Sequence, residues 1–116
     1  MSTKKPLAYL AGPYRGGPDN DNIPVNVAEA MRWWNALTDA GLVVFCPHLN
    51  MFLDMSKERS AEFWLEWDME WLRKCDALFR IPGKSSGSEA EIELCKELGI
   101  PVYHSLDLLL EELSEL

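Results

Sequence analysis

The chain has 116 residues, 47% of them apolar and 26% charged, with a formal net charge of −8 at pH 7. That length and balance suit one globular domain, read here as residues 1–116, with a core large enough to need no staples. They exclude a disordered or fibrous chain, and the acidic balance argues against a protein that wraps duplex DNA or RNA.

In chain order, "LAYLAG" (7–12) is a short apolar run suited to a strand buried on both faces, and it stops at Gly12-Pro13. After a polar, glycine-rich loop to about residue 22, Val27, Ala30, Met31, Trp34, Leu37 and Ala40 recur at helical spacing, and Gly41 ends that helix. "LVVFC" (42–46) is the second strand, closed by Pro47. A loop over "HLNMFLDMSKERS" leads into a helix from about Ala61 to Lys74. "DALFRI" (76–81) predicts the third strand, Ser88–Leu98 the next helix, "IPVY" (100–103) a fourth strand, and "SLDLLLEELSEL" a terminal amphipathic helix.

Strands alternating with helices imply a mostly parallel sheet covered on both faces: a single three-layer, flavodoxin-like or Rossmann-like α/β domain with a four- or five-stranded parallel sheet. Such sheets bind ligands beyond the carboxyl ends of their strands, near a switch in strand order. The candidate site therefore lies in the loops at 12–22, 47–57 and 82–88.

The three cysteines, Cys46, Cys75 and Cys95, are odd in number, far apart and set among apolar residues, as small buried hydrophobes are. With two histidines and no Cys-x-x-Cys spacing, no metal site is expected, and no cofactor is called for. No apolar stretch approaches the roughly 20 residues of a membrane span, and the N-terminus lacks a long apolar leader. A cytoplasmic protein with no membrane partner is the expectation.

Residues 85–91 read "SSGSEAE" and admit two readings of Glu91. Ser88 and Glu91 have the spacing of a capping box, in which each closes an open amide at a helix start. A carboxylate in a first helical turn is also held ionised by the dipole, and at the end of a sheet it suits nucleophilic attack on a sugar. In "AEFWLEWDMEWLRKC", Trp64, Trp67, Trp71, Leu72 and Cys75 mark one apolar face, and Asp68 falls inside that stripe. A buried carboxylate there has a raised pKa and suits a general acid; at the stripe's margin it would instead bond a loop amide or an arginine. Asp76 either ends that helix or joins the site.

In the first loop, Gly12 and Gly16 allow close backbone approach, and Arg15 can hold a phosphate or carboxylate. Ser85 and the amides around Gly87 and Ser88 form a second anion site at a helix start. His48 and Asn50, just past the second strand, are placed to touch a base or a sugar.

Three segments, "YLAGPYRGG" (9–17), "DMEWLRKCDAL" (68–78) and "SSGSEAE" (85–91), together resemble the nucleoside 2-deoxyribosyltransferase-like family, which includes the 2'-deoxynucleoside 5'-monophosphate N-glycosidases. The resemblance implies that Glu91 is the nucleophile, that Asp68 helps protonate the leaving base, and that Tyr9 supports the nucleophile or the sugar. It further implies phosphate contacts from Arg15 and Ser85, although Pro13 stands where the family has a hydroxyl residue. A shorter likeness joins "IPGKSSGSEAE" to the loop of the lysine-decarboxylase-like phosphoribohydrolases, which cleave the same kind of bond. The implied activity is cleavage or transfer at the N-glycosidic bond of a nucleoside or its 5'-monophosphate, through a glycosyl-enzyme ester. The alternative is a nucleotide-binding or signalling module on the same fold. A homo-oligomer is expected from the leucine-rich terminal helix, the five tryptophans and the family comparison.

Overall fold

The computed structural model describes residues 5–13, 23–82 and 86–113, with residues 86 and 87 described by their backbone alone. Four strands form one parallel sheet: β1 (Leu7–Ala11), β2 (Val43–Phe45), β3 (Ala77–Arg80) and β4 (Val102–Tyr103), in the order β2-β1-β3-β4. The order turns between β1 and β3, where the chain leaves β1 for one edge and later returns to the other side. Their carboxyl ends therefore frame the crevice expected of a doubly wound sheet.

The helices are α1 (Ile23–Asp39), α2 (Asn50–Ser56), α3 (Ala61–Leu72), α4 (Ser86–Leu98) and α5 (Leu106–Leu113). α1 ends where Gly41 takes φ +101°, a left-handed conformation that closes the last turn with an amide bond from Leu42 to the Leu37 carbonyl. Ser60 caps α3, its hydroxyl accepting from the Phe63 amide at 3.0 Å.

Because side chains alternate along a strand, the sheet has two separate cores. Ala8, Leu10, Ala77 and Phe79 face α1 and α5, packing with Ala30, Leu37, Leu109 and Leu113. Tyr9, Ala11 and Leu78 face α3 and α4, packing with Leu72, Met69, Cys95 and Leu94. Cys46 and Cys95 are buried, Cys75 is half-buried, and all three are free thiols.

Four local expectations change. Residues 47–57 are a 3₁₀ turn (Pro47–Leu49) running into α2, rather than a loop. α2 has no side-chain cap and no fully buried residue, so neither helix signal is present in its sequence. On α1 the buried face is Val27, Ala30 and Leu37, with Trp33 against Phe79 at 4.9 Å, while Met31 and Trp34 are exposed. On α3, Leu72 is buried, but Trp67 and Trp71 are each 43% exposed, and the helix stops at Leu72, short of Lys74. The leucines of α5 turn onto the sheet, leaving Leu108 exposed.

Candidate functional site

Three ionisable groups meet on the α3/α4 face. Tyr9 sits in the middle of β1, fully buried, paired in register with Leu78 and Phe45. Above it α4 brings Glu91, 8% exposed, and α3 brings Asp68. Burial, the largest cause, pushes Glu91 up to about 7; Tyr9 and Arg80 pull it down, and the charge of Asp68 pushes it up. Burial likewise pushes Asp68 up to about 7, against a hydrogen bond from Asn50 that lowers it. The Tyr9 phenol is raised well above its usual value, by burial first and then by Glu91 and Asp68. Its hydroxyl meets no partner in hydrogen-bond geometry among the described residues, yet it and the Glu91 carboxyl shift one another.

Asn50 opens α2 and donates from Nδ2 to Asp68 Oδ1 at 2.7 Å. An amide N–H needs an acceptor, so when Asp68 is protonated the proton belongs on Oδ2. α2 is itself pinned: Asp54 Oδ1 accepts from Trp64 Nε1 at 2.8 Å and from the Arg59 amide at 2.9 Å, which ties it to α3. Asn50 thus reaches the site by orienting Asp68.

His48 is buried, and its Nε2 donates to the Pro13 carbonyl at 2.9 Å, since a carbonyl can only accept. The Cys46 thiol lies 3.9 Å from Nδ1. Burial lowers the pKa of the imidazole. His48 clips the segment leaving β1 to the turn after β2, which holds the mouth of the crevice. Gly12 is needed for packing in this place: a Cβ there would come within 2.7 Å of Ile81 Cβ. An aromatic stack lies beside the cluster, with Tyr9 5.5 Å from Phe45 and Phe45 stacked on Trp71 at 5.2 Å.

Two expectations are corrected. Asp76 lies at the amino ends of the strands, on the opposite side of the sheet from the crevice. Its carboxylate accepts from the Leu7 amide at 2.8 Å while its own amide donates to the Leu7 carbonyl, so it aligns β3 with β1. Ser88 is not a helix cap, because α4 starts at Ser86; Ser88 is buried in the first turn and Glu91 falls in the second. Beyond the free amides, Glu91 is governed by its burial rather than held ionised by the helix end. Gly87 is the second residue of α4, and Arg15, Gly16 and Ser85 lie outside the described residues.

The residue missed is Arg80, the last of β3, only 9% exposed. Its signal was present: a cation inside the apolar run "ALFRI". Among the described residues no cluster of three or more His, Cys, Asp or Glu is arranged to hold a metal ion, and no helix is long and apolar enough to cross a membrane.

The four-stranded all-parallel sheet flanked by helices matches the fold of the 2-deoxyribosyltransferases. A solved 2-deoxyribosyltransferase from Bacillus psychrosaccharolyticus aligns with a TM-score of 0.61 and 29% identity, over 83% of this chain and 69% of that one. The chain belongs to the family described as Domain of unknown function (DUF7768), whose model matches residues 6–105. No curated protein matches it.

Proposed function

We propose that this protein cleaves or transfers at the N-glycosidic bond of a nucleoside or its 5'-monophosphate, with Glu91 as nucleophile and Asp68 as acid. The observation that carries the reading is the joining of Glu91, Asp68 and Tyr9 at the β1/β3 crevice, in a fold similar to that of a 2-deoxyribosyltransferase. Ionised Glu91 attacks C1', and the C1'–N bond breaks with its electron pair passing to the base. The proton on Asp68 Oδ2 goes to the base directly or through one water. Asp68, now ionised, takes a proton from water or from an acceptor base, which attacks C1' and frees Glu91 with overall retention. Tyr9 donates to Glu91 in its carboxylate form and steadies it between the two steps. The chemistry calls for no metal or organic cofactor.

Arg15 and Ser85 are assigned to the 5'-phosphate, and His48 fixes Pro13, at the end of β1, beside the crevice. The protein is assigned to the cytoplasm as a homo-oligomer, for which the exposed Phe52, Leu53, Leu65 and Trp67 of α2 and α3 supply an apolar surface.

The test is a panel of ribo- and deoxyribonucleosides and their 5'-monophosphates, with and without a free acceptor base, followed by chromatography of released base beside Glu91→Gln. Base release by the native protein and none by the variant is expected; exchange into the acceptor separates transferase from hydrolase. A nucleotide bound equally by both proteins, with no turnover by either, would make this a binding module.

A further inference from the structure

Asp68 meets the neighbouring helix through the Asn50 amide, which donates from Nδ2 to Oδ1 at 2.7 Å. One turn further along α2, Asp54 Oδ1 accepts from Trp64 Nε1 at 2.8 Å. Asn50 and Asp54 are four residues apart on α2, and Asp68 and Trp64 are four apart on α3 in the reverse order. The two bonds are therefore successive rungs between antiparallel helices, since residues at i and i+4 share a helix face. The carboxylate belongs to α3 in one rung and to α2 in the other. All four residues are half-buried, while Phe52, Leu53 and Met55 of α2 are exposed.

Little else fixes how α2 lies. It has no fully buried residue and no side-chain cap at its start, so the apolar stripe that normally sets a helix's roll is missing. At its entry, His48 ties the preceding 3₁₀ turn to the Pro13 carbonyl at 2.9 Å, which sets where α2 begins but not how it turns against α3. The second rung supplies that setting. Asp54 Oδ1 also accepts from the Arg59 amide at 2.9 Å, so a single oxygen joins α2 to the connection that follows it and to α3. Phe63 and Trp67 stand edge-on to the Trp64 ring, at 5.1 and 6.5 Å, and hold the direction of its N–H.

We infer that Asp54 is a positioning residue for Asp68: by holding the Trp64 indole and the Arg59 amide it sets α2 against α3 and keeps the Asn50 amide on the acid. The inference deepens the reading of Asp68 as the acid and rests on that reading for its purpose, but not for its measurement. Three influences of Asp54 differ in sign. An N–H bonded to a carboxyl favours the ionised form, so loss of the Asn50 bond raises the Asp68 midpoint. Removal of a nearby like charge lowers it, so Asp54 acting only as a charge predicts the opposite shift. A residue that merely supports the fold leaves the midpoint where it was. Tyr9 of β1 and Glu91 of α4, the titratable groups that share this face with Asp68, are kept in every variant compared.

The experiment is a pH titration of side-chain carboxyl ¹³C resonances, with Asp68 assigned by Asp68→Asn, in the native protein, Asn50→Ala, Asp54→Ala, Asp54→Asn and the Asn50→Ala, Asp54→Ala double variant. Asn50→Ala should raise the Asp68 midpoint by about one pH unit, the size of one hydrogen bond to a charged group. Asp54→Ala should raise it by most of that amount, and the double variant should go no further than Asn50→Ala alone. Asp54→Asn keeps an acceptor oxygen and should stay at the native midpoint or just below it. If Asp54→Ala does not fold, Trp64→Phe removes the indole N–H while keeping an aromatic ring, and should shift the midpoint the same way. A native or lowered Asp68 midpoint in the folded variant overturns the inference, as do shifts that add in the double variant. Where base release is observed, the basic limb of kcat/KM should move up with the Asp68 midpoint. If the midpoint follows Asp54 but no substrate is turned over, the glycosyl-transfer reading fails and the inference on Asp54 stands. If Asp68-dependent turnover is present and the midpoint ignores Asp54, the inference alone falls.

Discussion

The two faces of the sheet are built from the same strands and differ in one respect. On the α1/α5 face, Ala8, Leu10, Ala77, Phe79 and Leu109 close a core of apolar side chains. On the α3/α4 face the alternate residues include Tyr9 and Arg80, and the helices above add Asp68 and Glu91. A buried ionisable group costs stability unless it is paired, so the second face is less stable than an apolar one of equal area. The first face carries the fold, and the second uses part of that stability to hold groups away from water.

The sharpest way to break this contrast is Glu91→Gln. It keeps shape and burial, and kcat should fall by roughly 10³-fold or more, with the melting temperature at pH 8 unchanged or raised. Loss of fold alongside loss of turnover would show the two faces to be alike. On the other face, Leu109→Ala removes a fully buried side chain and should cost about 3 kcal/mol in denaturant unfolding. The kcat of the molecules that remain folded should stay as it was.

Asp68→Asn should lower kcat/KM by about 10²-fold and remove the basic limb of its pH profile, read with a poor leaving base. The same variant sharpens the stability side. Asp68 and Glu91 have folded pKa values near 7, above the carboxylate range of an unfolded chain, so the folded state binds protons more tightly. The contribution of this pair to stability is then fullest below about pH 4, falls as pH rises to 7, and is level above it. Thermal melts across that range should show a shallower fall for Asp68→Asn than for the native protein. The smallest effect is expected from Tyr9→Phe. Its hydroxyl has no hydrogen-bond partner among the described residues, so unfolding free energy should move by less than about 1 kcal/mol, while the acid limb of kcat/KM shifts upward as Glu91 loses the group that lowers it.

The sequence revealed some of this arrangement and hid the rest for physical reasons. "LAYLAG" and "DALFRI" read as strands because both faces of β1 and β3 are buried, which leaves a continuous apolar run. Asp68 stood out because a carboxylate interrupts an aromatic stripe, although Trp67 and Trp71 of that stripe are each 43% exposed and Trp64 is half-buried. The 47–57 segment hid a helix because α2 is held by Asp54 and by contacts with α3, not by caps or a buried stripe of its own. The capping box at Ser88 failed since α4 starts earlier, a shift that moved Glu91 from the helix end into a buried second turn. Asn50 and His48 were placed at the site, yet what each one bonds, Asp68 and Pro13, depends on tertiary contacts that spacing does not encode.

The parallel pairing of β1 with β3 has a kinetic consequence. Tyr9 stands near the start of the chain and Glu91 far along it, and they meet only when β3 has docked beside β1 after the whole α1–β2–α2–α3 excursion is in place. Pairings so distant in sequence close loops of high entropy and form slowly. Regain of turnover after dilution from urea should therefore trail the return of helical signal, making the assembled carboxyl pair a marker for the last stage of folding.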